Sequence, residues 1–130
     1  MISYLEGKIE FKGERFAVLS VGGVGYKIFS TQETLKKIPE KGGQVKLWTH
    51  LYVREDALEL YGFLSFAELD LFETLIHVPG IGPKSGLGVL AIAPTDTLKK
   101  AIAAGDTSYL TRVSGVGRKT AEKIVLELKD

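Results

Sequence analysis

The two halves of the chain differ in how their hydrophobic residues are spaced. Up to about Leu64, short runs alternate between hydrophobic and polar residues, and beyond it hydrophobic residues recur every three or four positions. Alternation is typical of strands with one buried face, and the longer period is typical of amphipathic helices. We therefore expect an α+β protein of two domains, one of strands over residues 1–64 and one of helices over residues 65–130.

Five runs in the first domain have the composition of strands. They cover residues 2–11, 16–21, 25–29, 44–53 and 58–63. Between the third and fourth runs, residues 31–38 predict a short helix with Thr31 as its N-cap, and Pro39 ends it. Three strands, a helix and two strands follow the chain order of an OB-fold barrel, which often binds nucleic acids.

The second domain is predicted to be entirely helical. Ser65 and Glu68 have the spacing of a capping box that starts the first helix, and Gly105 suits a helix end. The later helices are predicted over residues 83–92, 96–104, 106–112 and 118–129. Gly86 and Gly88 lie inside one of them, where each glycine costs roughly 1 kcal/mol relative to alanine. We expect close helix packing at these two positions.

Two segments of this domain follow one pattern thirty-five residues apart, "HVPGIGPKSG" (77–86) and "RVSGVGRKTA" (112–121). Gly80, Gly82, Lys84 and Ser85 of the first correspond to Gly115, Gly117, Lys119 and Thr120 of the second. Arg118 stands where the first copy has Pro83. A turn between helices needs only the glycines. The lysine and the hydroxyl at identical offsets therefore favour a shared function over two ordinary turns.

The repeated pattern predicts two anion sites. Gly82 and Gly117 lie just before predicted helices, so the amide groups of the first turn would point outward with the positive end of the helix dipole behind them. The lysine of each copy can add a direct contact to a phosphate. Each hairpin is therefore predicted to hold a phosphate group.

Composition limits how a nucleic acid could be recruited. The net charge is +1, so bulk positive charge cannot attract one. Locally, no acid lies between Asp106 and Glu122, while Arg112, Arg118 and Lys119 gather there. The chain has no cysteine and no apolar run of roughly eighteen residues. We expect a cytoplasmic protein that does not enter a membrane.

No catalytic, nucleotide or metal site is readable from the sequence. Arg118 interrupts the G-K-[ST] tripeptide that a phosphate-binding loop requires. His50 and His77 form no spaced set of ligands, and Glu55 with Asp56 would be a poor metal site without further ligands. We therefore expect no catalytic residue, no metal and no cofactor.

The repeated segments resemble the helix-hairpin-helix motif, which grips DNA phosphates across the minor groove without reading sequence. "PGIGPKS" (79–85) is a close match and "SGVGRKT" (114–120) a good one. Two such motifs behind an OB-like barrel, joined by "VREDALELYGF" (53–63), resemble the RuvA family of Holliday-junction-binding proteins. The resemblance covers the whole chain. It implies a five-stranded OB-fold barrel followed by a tandem helix-hairpin-helix domain.

The family implies a non-catalytic DNA-binding subunit that assembles as a tetramer on a four-way junction. The RuvB ATPase then uses ATP to drive branch migration in recombination and repair, and the RuvC resolvase is a further partner. Whether two tetramers pair into an octamer is left open. Family members continue beyond Asp130 into a small helical domain that contacts RuvB, so we expect this chain to be truncated.

The hairpin tip at Glu55 and Asp56 has two interpretations. Acids at such a tip are commonly solvated turn formers. The resemblance implies instead an acidic pin, four of which surround the junction centre and repel phosphates, with Arg54 holding the entering strands. The DNA-binding residues that it implies are Gly80, Gly82, Lys84, Ser85, Gly115, Gly117, Arg118, Lys119, Thr120 and Arg54.

Two other functions stay open at this point, a general duplex-binding module of a repair enzyme and an RNA-binding OB protein with a helical tail. Trp48, Tyr52, Tyr61 and Phe63 could stack on bases. Their alternating positions favour core or subunit contacts instead.

Overall fold

The computed structural model describes residues 1–129, and Asp130, the last residue of the predicted second domain, lies outside them. The chain divides into two compact units, one over Met1–Leu69 and one that begins at Asp70. Within residues 1–129, no helix is both long and apolar enough to cross a membrane.

The first unit contains a closed barrel of five strands and one short helix. The elements are β1 (Tyr4–Lys12), β2 (Phe16–Val21), β3 (Val24–Phe29), α1 (Gln32–Lys37), β4 (Gln44–Val53) and β5 (Leu58–Phe63). The strand order is β1-β2-β3-β5-β4, with β3 and β5 parallel and the other pairs antiparallel. The predicted OB-type barrel is confirmed.

Strand β1 closes the barrel because it pairs on both sides. Residues 4–8 pair with β4, and residues 8–12 pair with β2. The register shifts between Ile9 and Phe11, which marks a β-bulge. A bulge bends its strand and increases the local twist, so β1 can leave one neighbour and join the other.

Helix α1 contributes to the barrel's hydrophobic core. The buried core residues are Ile9, Ala17, Leu19, Ile28, Leu35, Ile38, Leu47 and Leu60. The Thr31 side chain accepts the Thr34 amide at 3.1 Å, which confirms the predicted N-cap. After the helix, Lys12 Nζ donates to the Ile38 carbonyl at 3.0 Å and holds this connection against β1.

The second unit is helical, as predicted. Its elements are α2 (Phe66–Ile76), which begins in the first unit, α3 (Pro83–Ile92), α4 (Thr95–Ala103), a 3₁₀ turn (Leu110–Arg112) and α5 (Arg118–Leu128). The capping box that starts α2 is confirmed. Ser65 Oγ accepts the Glu68 amide at 3.2 Å and donates to the Glu68 carboxylate at 3.0 Å.

The predicted helix over residues 106–112 is wrong, because only the 3₁₀ turn forms there. Gly105 ends α4 at φ +74, and the Asp106 amide donates back to the Ala101 carbonyl at 2.9 Å. The Asp106 carboxylate then accepts the Ser108 amide at 2.9 Å. Hydrogen bonds from the Ser108 side chain and from its amide lower the pKa of Asp106. An aspartate that bonds the backbone two residues ahead favours a turn over a continuing helix.

Close packing at Gly86 and Gly88 of α3 is confirmed. A Cβ placed on Gly88 would lie 2.7 Å from Cγ1 of Val113, which is closer than two carbon atoms can approach. A Cβ on Gly86 would lie 3.2 Å from atoms of Phe72 and Ile76. The helix interior therefore carries glycines because α3 is pressed against α2 on one side and against the segment around Val113 on the other.

We predict that Gly88→Ala destabilises the helical unit although alanine is the better helix former. The gain in propensity is about 1 kcal/mol, and overpacking a tight contact costs about 1–3 kcal/mol. Denaturant unfolding should therefore show a net loss. The matched control is Ala91→Gly on the exposed side of α3, which should lose about 1 kcal/mol through propensity alone. A stabilised Gly88→Ala protein would contradict the close contact.

Candidate DNA-binding site

The first hairpin is a β-turn over Val78–Ile81, between α2 and α3. The Ile81 amide donates to the Val78 carbonyl at 3.0 Å. Gly80, the third residue of the turn, has φ +93. A type II turn needs a positive φ at this position and favours proline just before it, where Pro79 stands. The sequence "VPGI" therefore specifies this turn.

The second hairpin, over Val113–Val116, has the same geometry. The Val116 amide donates to the Val113 carbonyl at 3.0 Å, and Gly115 has φ +88. Corresponding apolar residues are buried in both copies, namely Leu75 and Leu110, Val78 and Val113, Ile81 and Val116, and Val89 and Ile124. The sequence repeat is therefore a structural repeat.

The two glycines before α3 and α5 are the N-caps of these helices. Gly82 has φ −96 and ψ 179, and Gly117 has φ −82 and ψ −179, which is extended backbone in both cases. Neither has a side-chain cap, and a Cβ placed on either would meet nothing within 4 Å. The amide groups of a first helical turn have no partner inside the helix. Each hairpin therefore presents such amides beside open space, which suits a phosphate.

Basic side chains stand at both helix starts. Lys84 and Lys119 are exposed at corresponding positions. Arg118 Nε lies 3.3 Å from the Glu122 carboxylate, with both side chains largely exposed. Such surface pairs contribute at most about 1 kcal/mol, so Arg118 can exchange its carboxylate for a phosphate at little cost.

The two hairpins are neighbours within the helical unit. Ser85 Oγ, in the first turn of α3, lies 3.2 Å from the position that a Cβ on Gly115 would take. The half-buried Ser85 therefore lies against the second hairpin's turn, while its counterpart Thr120 is half-buried at the start of α5. The structure brings the nine predicted hairpin residues into one region, four of them between positions 80 and 85 and five between positions 115 and 120.

Arg112 is a basic residue of this region whose position the sequence did not predict. It lines a groove with Lys84 and Ser114, on the side of α3 that carries Gly88. Its guanidinium carbon lies 5.2 Å from the Tyr109 ring centroid, within the range of a cation–π contact. The charge of Arg112 was visible in the sequence. Only the glycine inside α3 could have indicated that the second hairpin packs close to Lys84.

The remaining predicted residues, Arg54, Glu55 and Asp56, form the tip of the β4–β5 hairpin in the first unit. The Arg54 amide donates to the Ala57 carbonyl at 2.8 Å and closes the tip. Glu55 and Asp56 are exposed, and Arg54 Nε lies 3.7 Å from Asp56 Oδ1. With one basic side chain beside two acidic ones, the tip keeps a net negative charge.

The aromatic residues weighed for base stacking contribute mainly to the barrel. Phe63 and Tyr61 are buried, which confirms the core interpretation for both. Burial raises the pKa of Tyr61, whose hydroxyl donates to Glu59 at 3.0 Å. Trp48 and Tyr52 are half-buried, and their rings make edge contacts with other barrel aromatics. Across residues 1–129, no cluster of three or more His, Cys, Asp or Glu side chains could hold a metal.

Comparison with known proteins assigns both parts of the chain. Residues 1–62 match the model of the RuvA N-terminal domain, and residues 72–130 match that of the SAM-like helix-hairpin-helix tandem.

Similar proteins align with the whole chain. The protein named Holliday junction branch migration complex subunit RuvA of Caldanaerobacter subterraneus subsp. tengcongensis is 46% identical over 130 residues, which are 100% of this chain and 70% of the relative. The protein of the same name from Thermoanaerobacter pseudethanolicus is 48% identical with the same coverage. That of Brevibacillus brevis is 42% identical and is covered to 63% of its length. The chain belongs to the RuvA family.

Proposed function

We propose that this protein binds four-way Holliday junctions and is the DNA-binding subunit of a branch migration complex. The relatives are named as the RuvA subunit of a Holliday junction branch migration complex. The observation that carries the proposal is the pair of matching hairpins, each with a glycine N-cap, free amides and an exposed lysine at the same offsets.

The hairpins bind the backbone of DNA and leave the bases unread. Amide groups and lysines contact phosphates, which position a protein on a duplex but carry no sequence information. Two neighbouring sites can hold two phosphates of one arm. The DNA-binding residues are then the glycines, lysines and hydroxyl residues of both hairpins together with Arg118. Arg112 adds a cation beside Lys84.

Selection of a four-armed shape needs several copies of this chain. We propose a tetramer, because a particle with fourfold symmetry presents a pair of hairpins to each arm of a fourfold junction. Glu55 and Asp56 of each copy then meet at the centre as the acidic pin. Arg54 lies beside them to hold the strands that enter the centre.

The protein acts in this scheme without chemistry of its own. RuvB supplies ATP hydrolysis, RuvC is the resolvase partner, and neither a metal nor a cofactor takes part in junction binding. The interrupted G-K-[ST] tripeptide at Arg118 supports a non-catalytic role, since a nucleotide-binding loop needs it intact. Such a function belongs in the cytoplasm, where the bacterial chromosome lies.

A competition gel shift with a synthetic four-way junction, linear duplex and single strands tests the proposal. We expect the junction to compete best. Equal affinity for junction and linear duplex would favour a general duplex-binding module. A preference for single-stranded RNA would favour the OB barrel as an RNA-binding surface.

We predict that Lys84→Glu with Lys119→Glu lowers junction affinity at least about a hundredfold at low salt, because each change removes a phosphate contact and adds a repelling charge. The plot of log affinity against log salt should become shallower, with the magnitude of its slope reduced by about one to two. The measurement is a binding titration over a salt series.

The matched control is Lys99→Glu with Lys100→Glu, which makes the same change of charge on exposed lysines of α4. It should affect binding only weakly, through long-range charge. If the hairpin variant kept its affinity and its salt slope, the hairpins would not be the DNA site.

We predict that Gly115→Ala and Gly117→Ala fail in different ways. Gly115 has φ +88, so alanine strains the turn and should cost about 1–3 kcal/mol of stability. Gly117 has an ordinary φ, so alanine should cost at most about 1 kcal/mol as a poorer N-cap. Its methyl group would instead occupy the open space beside the amides and weaken DNA binding. Thermal unfolding and gel shifts separate the two effects, and unchanged binding by Gly117→Ala would contradict this phosphate site.

We predict that Glu55→Gln with Asp56→Asn binds all DNA more tightly but loses much of the preference for junctions. Removing the acids abolishes repulsion from continuous duplex laid across the centre, and the effect should be largest at low salt. The measurement is the ratio of the dissociation constants for junction and linear duplex across a salt series, with light scattering to check for a four-chain mass.

The matched control for the pin is Glu10→Gln with Glu14→Gln, which changes the net charge equally at exposed barrel positions. It should tighten binding to the junction and to linear duplex alike, and so keep the ratio of the two dissociation constants. A pin variant with an unchanged ratio would make Glu55 and Asp56 ordinary solvated turn residues.

A further inference from the structure

The inner face of the β4–β5 hairpin continues beyond the part of the barrel that covers it. Alternate β4 residues point inward, and along the row Leu47 and Thr49 are buried, Leu51 is half-buried and Val53 is 66% exposed. On β5 the change is sharper, from Leu60 at 8% to Leu58 at 71%.

Val53 and Leu58 form one apolar patch. They are direct partners in the β4–β5 ladder, so their side chains lie side by side on one face of the hairpin. Single exposed hydrophobic residues are ordinary on protein surfaces. This pair is different because it lies directly beneath the acidic tip and interrupts the charged surface there.

The neighbouring charges limit what could cover this patch. Glu55 and Asp56 repel phosphates, so a DNA backbone is disfavoured against it. Arg54 follows Val53 just beyond the end of β4, and its charge acts on Tyr61, which lies on the opposite face of β5 from Leu58. The face of a nucleobase suits the patch, because it is flat and uncharged. When a four-way junction is held open, with its arms unstacked from one another, the base pairs that flank the crossover lose a stacking neighbour and expose such faces.

We propose that Val53 and Leu58 contact the faces of the base pairs that flank the crossover of a bound junction. The inference rests on the proposed function, in which the hairpin tip lies at the junction centre. The acids keep phosphates away from the centre, and the apolar pair shields the base faces that opening exposes to water. Apolar side chains that insert at base steps are a known means of stabilising unstacked DNA.

The test uses the full chain and a junction with a fluorescent adenine analogue beside the crossover, whose emission rises when it unstacks. A second junction carries the analogue in the middle of an arm. The variant is Val53→Thr with Leu58→Gln, which keeps charge and approximate size. The matched control is Val24→Thr with Leu126→Gln, the same substitutions at positions 51% and 78% exposed.

We expect the unmodified protein to raise the emission at the crossover but not in the arm. The variant should lose at least about half of that rise and bind the junction about threefold to tenfold more weakly, as the loss of a small apolar contact predicts. Its affinity for linear duplex should not change. The control should behave like the unmodified protein.

Three results would overturn the inference. One is that the unmodified protein does not raise the fluorescence emission of the analogue beside the crossover. Another is that the variant leaves both the emission and the junction affinity unchanged. A third is a change of mass in light scattering, which would make the pair a subunit contact. If the double variant unfolds at a lower temperature, Leu58→Gln alone carries the test with a smaller expected effect.

Failure of the underlying function would look different. In that case the unmodified protein would show no preference for junctions, and the lysine reversals at the hairpins would not weaken binding. A protein that selects junctions through its hairpins but shows no effect of the apolar pair would refute this inference alone.

Discussion

The contact between Gly88 and Val113 sets the arrangement of the helical unit. A glycine in the middle of α3 lets the helix lie so close to Val113 that no side chain fits between them. Val113 begins the second β-turn, and α3 begins just after the first, so this contact fixes one hairpin against the other. Core packing therefore sets the spacing of the two proposed anion sites. A rigid spacing suits DNA, whose phosphates are themselves regularly spaced.

In the proposed function, the attraction for DNA is local and directional. A net charge of +1 provides almost no long-range steering. At the proposed sites, oriented amides and a few exposed cations bind one phosphate at a time, and they act only when the phosphate lies at the helix start. Affinity for a single duplex arm should then be modest, so several arms held together matter more than any one contact. This is a physical reason for the symmetric tetramer that we propose.

Local signals in the sequence predicted most of the fold. The bounds of β2, β4, β5 and α3 follow from alternation, turn residues and the proline at the start of α3. The turns at Gly80 and Gly115 follow equally from local chemistry. The prediction of a helix over residues 106–112 was wrong because the Asp106 side chain accepts a backbone hydrogen bond and so favours a turn. Hydrophobic spacing does not reveal this competition. The bulge in β1 and the position of Arg112 beside Lys84 depend on contacts between distant residues, which no short window of sequence contains.

Tight binding and selective binding need opposite chemistry, and the proposed function assigns them to different units of the chain. The hairpins attract any duplex backbone, so stronger hairpins alone would raise affinity for linear and branched DNA together. Selectivity requires a feature that disfavours the wrong shape. In our proposal, the exposed acidic tip with the apolar patch beneath it disfavours a continuous backbone and favours exposed bases. Such a tip weakens total affinity, and the loss is smallest for the one DNA shape whose centre is open.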